Sequence, residues 1–162
     1  MTVKHTARRR TTGHPAIEAV PPVAAVVVPA SVTRLLGLAD AELAEAAATS
    51  DPDERFRHAH LAALRSAAAV VDLRGRPAPR SGARTVWEML ALVEPTLASW
   101  SVYFAAGARL RAALDAGRPD VVDAARAGEL VACAEDFRDE VAMLIDPDAE
   151  FSRPMRWAAA VS

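Results

Sequence analysis

The chain has 162 residues, which is enough for one domain with a sizeable core and too few for two ordinary domains. A formal net charge of -2 excludes a global field that attracts nucleic acid or an anionic membrane, so any RNA contact must be a local patch. Hydrophobic residues make up 52% of the chain and aromatic residues only 5%, so alanine, the best helix former, favours an all-α fold.

The first thirty residues show neither a helical nor a strand period. Lys4 and the three arginines from Arg8 to Arg10 are opposed by Glu18 alone, and Thr, Gly and Pro are scattered among them. We therefore predict a disordered basic tail over residues 1–30. The apolar run from Val23 to Val28 is far shorter than the roughly 20 residues that a membrane span needs, and no membrane association is expected.

A helical pattern begins at Ser31, in the segment SVTRLLGLADAELAEAAATS. It predicts one helix with a break near Gly37 and a fresh start at Asp40. The following segment, DPDERF, has a candidate N-cap at Asp51, a proline at the first helical position, and Glu54 three residues after the cap. This capping-box pattern predicts a second helix from Pro52 to about Leu73.

The stretch RGRPAPRSGAR is rich in glycine and proline, which predicts a loop between the second and third helices. No acidic residue opposes its arginines within that stretch, so they are candidates for contacts with nucleic-acid phosphates. The candidates are Arg74, Arg76, Arg80 and Arg84. The alternative is an ordinary solvated loop.

The rest of the chain predicts two further helices and a tail. Thr85 and Glu88 form a second capping box, which opens a long helix that is kinked near Pro95 and closed by Gly117. Pro119 and Asp120 open the last helix. The apolar stripe of this last helix comprises Leu130, Cys133, Phe137, Val141 and Leu144. We thus expect an antiparallel bundle of four to five helices over residues 31–146 and a C-terminal tail over 147–162.

The basic residues at the start of the second helix, ERFRHAHLAAL, divide by face. At 100° per residue His60 lies on the apolar side with Arg57 at its flank, whereas Arg55 and His58 fall on the far side. We predict that His60 is a core histidine in a buried or half-buried polar cluster with Arg57 and Glu94, because isolated charges there are costly. The alternative is that Pro95 shifts the helical phase and turns Glu94 outward.

The sequence also bears on three further kinds of site: a metal site, a disulfide and an aromatic surface for base stacking. His58 and His60 point to different faces of a helix and no HExxH motif exists, so we expect no metal and no cofactor. Cys133 is the only cysteine, which excludes an intramolecular disulfide and indicates a reducing, cytoplasmic setting. The aromatic residues Trp100 and Phe104 could stack on bases, but their helical spacing favours the core or a subunit interface.

Two runs, RFRHAHLAALRSAAAVVDLRGRP and RTVWEMLALVEPTLASWSVYFAAGARLRAAL, resemble an actinobacterial group of HEPN-domain proteins (higher eukaryotes and prokaryotes nucleotide-binding). The resemblance spans about residues 31–145. It implies a bundle of four or five helices and frequent homodimerisation. In many members it also implies a metal-independent RNase activity that uses an Arg-x(4-6)-His motif at the dimer interface.

Carried over, the resemblance gives Arg55-FRHA-His60 as the motif. Arg55 would stabilise phosphate charge, and His60 would act as acid or base towards the ribose 2′-hydroxyl. The two residues lie about 140° apart on one helix, and Phe56 stands where active members commonly have a polar residue. We therefore expect a homodimeric HEPN-like protein that works by protein association or RNA- or nucleotide-linked binding without catalysis. The alternative is a metal-independent endoribonuclease that uses His60 with Arg55 or Arg57.

Overall fold

A computed structural model describes residues 27–148, and this part of the chain contains five α-helices and no strand. The expected tails, apart from residues 27–30 and 147–148, lie outside the described residues. The helices are α1 (Ala30–Ala48), α2 (Pro52–Arg74), α3 (Val86–Val93), α4 (Ala98–Asp115) and α5 (Ala124–Ile145). The prediction of an all-α bundle of four to five helices is confirmed.

The first two helices follow the sequence pattern with one exception. α1 runs without interruption from Ala30 to Ala48, through Gly37, so the predicted break was wrong. α2 begins as predicted, because the Asp51 side chain accepts a hydrogen bond from the Asp53 amide at 3.1 Å and Pro52 occupies the first turn. Glu54 does not close a capping box there, since its carboxylate binds Arg57.

The expected third helix is two helices. Thr85 and Glu88 form the predicted capping box at the start of α3. α3 then ends at Val93, a single 3-10 turn follows over Pro95–Leu97, and α4 starts at Ala98. Pro95 has no amide to donate and its ring crowds the preceding turn, so the helix breaks where a kink was predicted.

The last helix begins later than predicted. Gly117 closes α4 with φ +77, as expected, but Asp120 adopts a left-handed φ of 54 and cannot begin a helix. The N-cap of α5 is instead Asp123, whose Oδ1 accepts a hydrogen bond from the Arg126 amide at 2.7 Å. The loop before it is pinned to α2, because the Val122 amide donates to Asp53 Oδ1 at 3.0 Å.

α2 lies at the centre of the bundle and packs on all four other helices, most extensively on α1 and α5. Small side chains allow this, since Ala59, Ala62, Ala63, Ser66, Ala67 and Ala69 of α2 are all buried. Phe56 of α2, Phe104 of α4 and Phe137 of α5 are the largest side chains that are completely enclosed in the core. Within residues 27–148, no helix is long and apolar enough to cross a membrane.

Candidate functional site

His60 lies in the core between α2, α3 and α4. Its side chain is 1% exposed and its ring contacts three aromatic rings: Phe56 at 6.3 Å between centroids, Trp87 at 5.8 Å and Phe104 at 6.3 Å. Gly107 of α4 provides the space for the imidazole, because a Cβ atom at this position would lie 3.2 Å from His60 Cδ2. The predicted burial of His60 is therefore observed.

The hydrogen bonds of His60 define its protonation state. Nε2 lies 2.9 Å from the Phe104 carbonyl oxygen, which can only accept, so Nε2 carries the hydrogen and donates it. Nδ1 is buried without a hydrogen-bond partner among the described residues, so no acceptor there stabilises a second proton. Burial lowers the pKa of His60 below its ordinary value of 6.5, and the bond to Phe104 only partly opposes this shift. The ring is neutral at pH 7.

The structure does not bring Arg57, His60 and Glu94 together as a polar cluster. Arg57 pairs with Glu54 through Nη1 and with Asp115 of α4 through Nε at 3.3 Å. Its contact with Glu54 raises the pKa of Arg57. These two acids belong to a longer chain of charged and polar contacts across α1, α2 and α4, which we call the ion-pair chain; His58 joins it through its ring nitrogens, 2.7 Å from Glu42 and 3.7 Å from Glu54. The order of that chain is Arg65, Glu42, His58, Glu54, Arg57, Asp115 and Arg111.

Glu94 belongs to a different polar group because α3 ends immediately before it. At the start of the 3-10 turn its carboxylate accepts from Thr96 Oγ1 at 2.6 Å and from Arg74 Nε at 3.0 Å. These contacts, the one from Thr96 first, lower the pKa of Glu94 despite its burial. The phase shift at Pro95 thus joins Glu94 to the arginine loop and separates it from His60.

Arg55, the arginine of the literal Arg-x(4)-His spacing, is half-buried and its Nε is enclosed without a hydrogen-bond partner within residues 27–148. Among the hydrogen bonds, ion pairs and ring contacts of the described residues, none joins Arg55 or Arg57 to His60. The two candidate arginines and the histidine share α2 but do not form one group in this structure.

The arginines of the loop between α2 and α3 differ in their partners. Arg74 is neutralised by Glu94, at 2.9 Å from its Nη2. The exposed side chains of Arg76, Arg80 and Arg84 make no ion pair with the described part of the chain. Within residues 27–148 the loop therefore presents three guanidinium groups that are not held in ion pairs, and two of them, Arg76 and Arg84, also line a cavity of about 300 Å³.

This cavity lies between α1, α2, α3 and the loop, and we call it the arginine cavity. It is lined by Leu35, Ala68, Val71, Asp72, Arg76, Arg84, Val86 and Met89. The two arginines were predictable from the sequence as phosphate contacts, whereas the other lining residues were not. Those come from three helices, and no spacing within one helix shows that they converge. The one local signal was Asp72, an acid that interrupts the apolar end of α2.

The aromatic residues considered for base stacking are parts of the core. Phe104 is fully buried between Trp87, Trp100 and Phe137, with ring centroids 5.3–5.8 Å away. Trp100 is half-buried and its Nε1 donates to Glu140 of α5 at 2.6 Å. Residues 27–148 contain no group of three or more His, Cys, Asp or Glu side chains placed to hold a metal ion.

Comparison with known proteins gives one finding. A family model described as SAV_6107-like HEPN matches residues 46–142, which is more than half of the chain and extends from the end of α1 almost to the end of α5. No curated protein and no solved structure matches the chain. The matched range contains His60, the ion-pair chain apart from Glu42, and the arginine loop.

Proposed function

The chain belongs to this HEPN family, and on that premise we propose that it is a binding protein that contacts single-stranded RNA through the arginine loop and does not cleave it. The observation that carries the proposal is the set of three exposed guanidinium groups, Arg76, Arg80 and Arg84, which make no ion pair with the described residues. Glu88 interacts with the charge of Arg84 without forming an ion pair. Exposed arginines that are not held in ion pairs can bind phosphate oxygens and release counterions.

The position of His60 supports binding over cleavage. A catalytic histidine must reach the ribose 2′-hydroxyl or its phosphate, directly or through one water. His60 is 1% exposed, donates its Nε2 hydrogen to Phe104, and lies among Phe56, Trp87 and Phe104. The endoribonuclease alternative, with Arg55 or Arg57 as the phosphate ligand, requires this ring to leave the core.

We also propose that the protein associates with a second copy of itself. Two apolar side chains stand out on the outer surface of neighbouring helices: Leu92 of α3 is 55% exposed and Val102 of α4 is 74% exposed. Next to Val102, the exposed residues Ala105 and Ala106 have small side chains that allow a second helix to approach closely.

The RNA proposal is tested by binding measurements on the full chain. We expect a labelled single-stranded RNA with a 5′-hydroxyl end to bind in an anisotropy titration, and each of Arg76→Ala, Arg80→Ala and Arg84→Ala to weaken it roughly fivefold. Each of these substitutions should also reduce the magnitude of the slope of log affinity against log salt concentration by about 0.7, the value for one phosphate contact on a single strand. Arg118→Ala, which removes another exposed arginine, is the matched control and should bind as the wild type does.

Two outcomes would contradict the proposal. Equal binding by all four variants would remove the loop as the RNA contact. Cleavage of the RNA in EDTA that is abolished by His60→Gln, in a variant that remains folded, would establish the endoribonuclease alternative instead.

A further inference from the structure

We infer that an apolar groove between α1 and the C-terminal end of α5 is covered by a segment of this same chain, residues 151–157, with Trp157 as the side chain that enters it. We call this feature the α1–α5 groove. Its apolar walls are formed by Val28, Leu36 and Gly37 on one side and by Ala142 and Ile145 on the other. The groove shares no residue with the arginine loop, so this proposal and the RNA contact do not depend on each other.

The walls and size of the groove suit one large aromatic side chain. Val28 and Leu36 are only partly buried against the core, although they are among the apolar residues that pack on it. The volume of about 360 Å³ equals that of about twelve water molecules, which is enough for an indole ring and part of a second side chain. An indole placed here removes its own apolar surface and that of both walls from water.

Gly37 opens the wall on the α1 side, and nothing within residues 27–148 explains a glycine at this position. It lies inside α1, where only proline is a poorer helix former. Its φ is not in the left-handed region, and a Cβ atom added there would meet no atom within 4 Å. A chain segment that passes close to the backbone of α1 from outside the described residues would use the space that this glycine leaves.

The α5 end of the groove carries negative charge that is not compensated within the described residues. Asp146 lines the groove and caps α5, and the exposed Asp148 follows it; neither makes an ion pair there. The last turn of α5 has no basic residue, although the C-terminus of a helix favours a cation. Arg138 lies in the groove but is paired with Asp40 at 2.9 Å. A cation from elsewhere would therefore be attracted to this end.

The sequence that follows the described residues matches both properties of the groove. Between Phe151 and Ser162 there is no acid, since the last acid is Glu150. The segment FSRPMRW combines large apolar side chains with arginines, namely Phe151, Met155 and Trp157 with Arg153 and Arg156. Apolar side chains can fill the groove while the arginines lie near Asp146, because both kinds of residue alternate within a few positions.

The length of chain is sufficient for Trp157 to reach the groove. The Asp148 amide donates to Asp146 Oδ1 at 3.2 Å, which turns the backbone at the end of α5. Trp157 follows Asp148 by nine residues, which span up to roughly 30 Å when extended, whereas the groove follows α1 for only about 10 Å. A tether of this length gives an effective concentration in the millimolar range, so the chain's own segment outcompetes that of a second copy at micromolar protein.

The position of Trp157 is tested by fluorine NMR of the full chain labelled with fluorotryptophan, since the sequence has three tryptophans. We expect the Trp157 signal, assigned with Trp157→Phe, to differ from that of fluorotryptophan in a short peptide and to be shielded from a soluble gadolinium chelate. Gly37→Leu fills the groove, so it should move this signal to the peptide position and raise its relaxation by the chelate at least about threefold. The matched control is Gly128→Leu on α5, which also adds a side chain where no atom lies within 4 Å and should leave the Trp157 signal in place.

The other two tryptophan signals report whether each variant keeps its core. If Gly37→Leu disturbs them, Ala142→Leu fills the groove from the α5 side and should expose Trp157 in the same way. Asp146→Asn and Arg156→Gln should each make Trp157 more accessible to the chelate, because they remove the charge attraction. Asp120→Asn removes an exposed acid from the loop before α5 and should have no effect.

Three results would overturn the proposal. The first is a wild-type Trp157 signal at the peptide position and fully accessible to the chelate. The second is a shielded Trp157 that neither groove-filling variant exposes, since the segment would then dock elsewhere. The third comes from mixing labelled Gly37→Leu with unlabelled wild-type protein, where return of the shielded signal would show that the segment enters the groove of a second copy. We expect the labelled Trp157 to stay exposed in that mixture.

Discussion

The imidazole of His60 is held in one tautomer and in its neutral form by the core around it. Nε2 donates to Phe104, and Nδ1 has no partner within the described residues that would favour a second proton. Protonation would place a charge among three aromatic rings, where no counter-charge touches the ring. A buried group of this kind links the folding equilibrium to pH.

The lowered pKa of His60 predicts an acid-dependent loss of stability. The unfolded chain takes up a proton near pH 6.5, but folded His60 does not, so acidification below 6.5 favours unfolding. Above pH 6.5 the neutral ring costs the folded state no stability. Below pH 6.5 the free energy of unfolding falls by at most about 1.4 kcal/mol per pH unit, until the pH reaches the pKa of His60 in the folded protein. Denaturant unfolding between pH 7.5 and 5.5 measures it.

The matched variants are His60→Gln, whose amide can still donate to Phe104, and His58→Gln, which removes a half-buried histidine of the ion-pair chain. We expect the first to flatten the pH profile in this window and the second to retain the part due to His60. An unchanged profile in His60→Gln would show that the ring is not kept neutral by the core.

For a single residue, the sequence could predict whether its side chain lies inside or outside the bundle, but not which group it binds. Helical phase within α2 correctly placed His60 inside and Arg57 at its flank. The partners depend on neighbouring helices: Asp115 of α4 reaches Arg57, and the carbonyl of Phe104 reaches His60. A backbone carbonyl is present at every residue, so its choice as an acceptor leaves no mark in the sequence.

Among the helices, the contact between α2 and α4 depends on one glycine. Gly107 lies against His60 and Phe56, and a Cβ atom there would be 3.2 Å from His60 Cδ2 and 3.6 Å from Phe56 Cζ. The imidazole cannot yield easily, since its hydrogen bond to Phe104 ties it to α4 itself. The glycine therefore sets how closely the two helices approach.

Three glycine variants test this contact. Replacing glycine by alanine within a helix normally stabilises by about 1 kcal/mol. Gly37→Ala in α1 and Gly128→Ala in α5 should show that gain, because no atom lies within 4 Å of either added methyl group. Gly107→Ala should lose the gain and destabilise by about 1 kcal/mol through crowding. Equal stabilisation by all three in chemical denaturation would contradict a tight contact at Gly107.

Helix boundaries were predictable where a side chain caps them. Asp51, Thr85 and Gly117 act as the sequence indicated, since capping is decided within four residues. The boundaries at Pro95 and Pro119 were less accurate. A proline limits where a helix can continue, but whether the chain kinks, breaks or delays its next helix depends on the elements that it must pack against.

The molecule as a whole is organised around α2 and leaves part of α3 and α4 open to solvent. The family and the bundle were predictable because helical periodicity and the two quoted runs are properties of the chain itself. The arginine cavity was not, since α1, α2 and α3 meet there only after folding.

The proposed homodimer is tested by light scattering after gel filtration. We expect a dimer at tens of micromolar wild-type protein, and Val102→Glu should shift the dissociation constant at least about tenfold towards monomer, because an unpaired charge is costly in an apolar contact. Leu38→Glu changes another exposed apolar residue, on α1, and should remain dimeric. A monomeric wild-type protein, or equal effects of both variants, would remove this surface as the dimer contact.

The central position of α2 also affects how cooperatively the bundle melts. Each of the other helices packs on α2, so a peripheral helix can detach briefly while the remainder keeps its main contacts. Detachment of α2 itself removes the shared surface of all four neighbours at once. The packing of this one alanine-rich helix therefore sets the size of the cooperative unit, and the arginine cavity, whose walls include α2, is lost whenever α2 detaches.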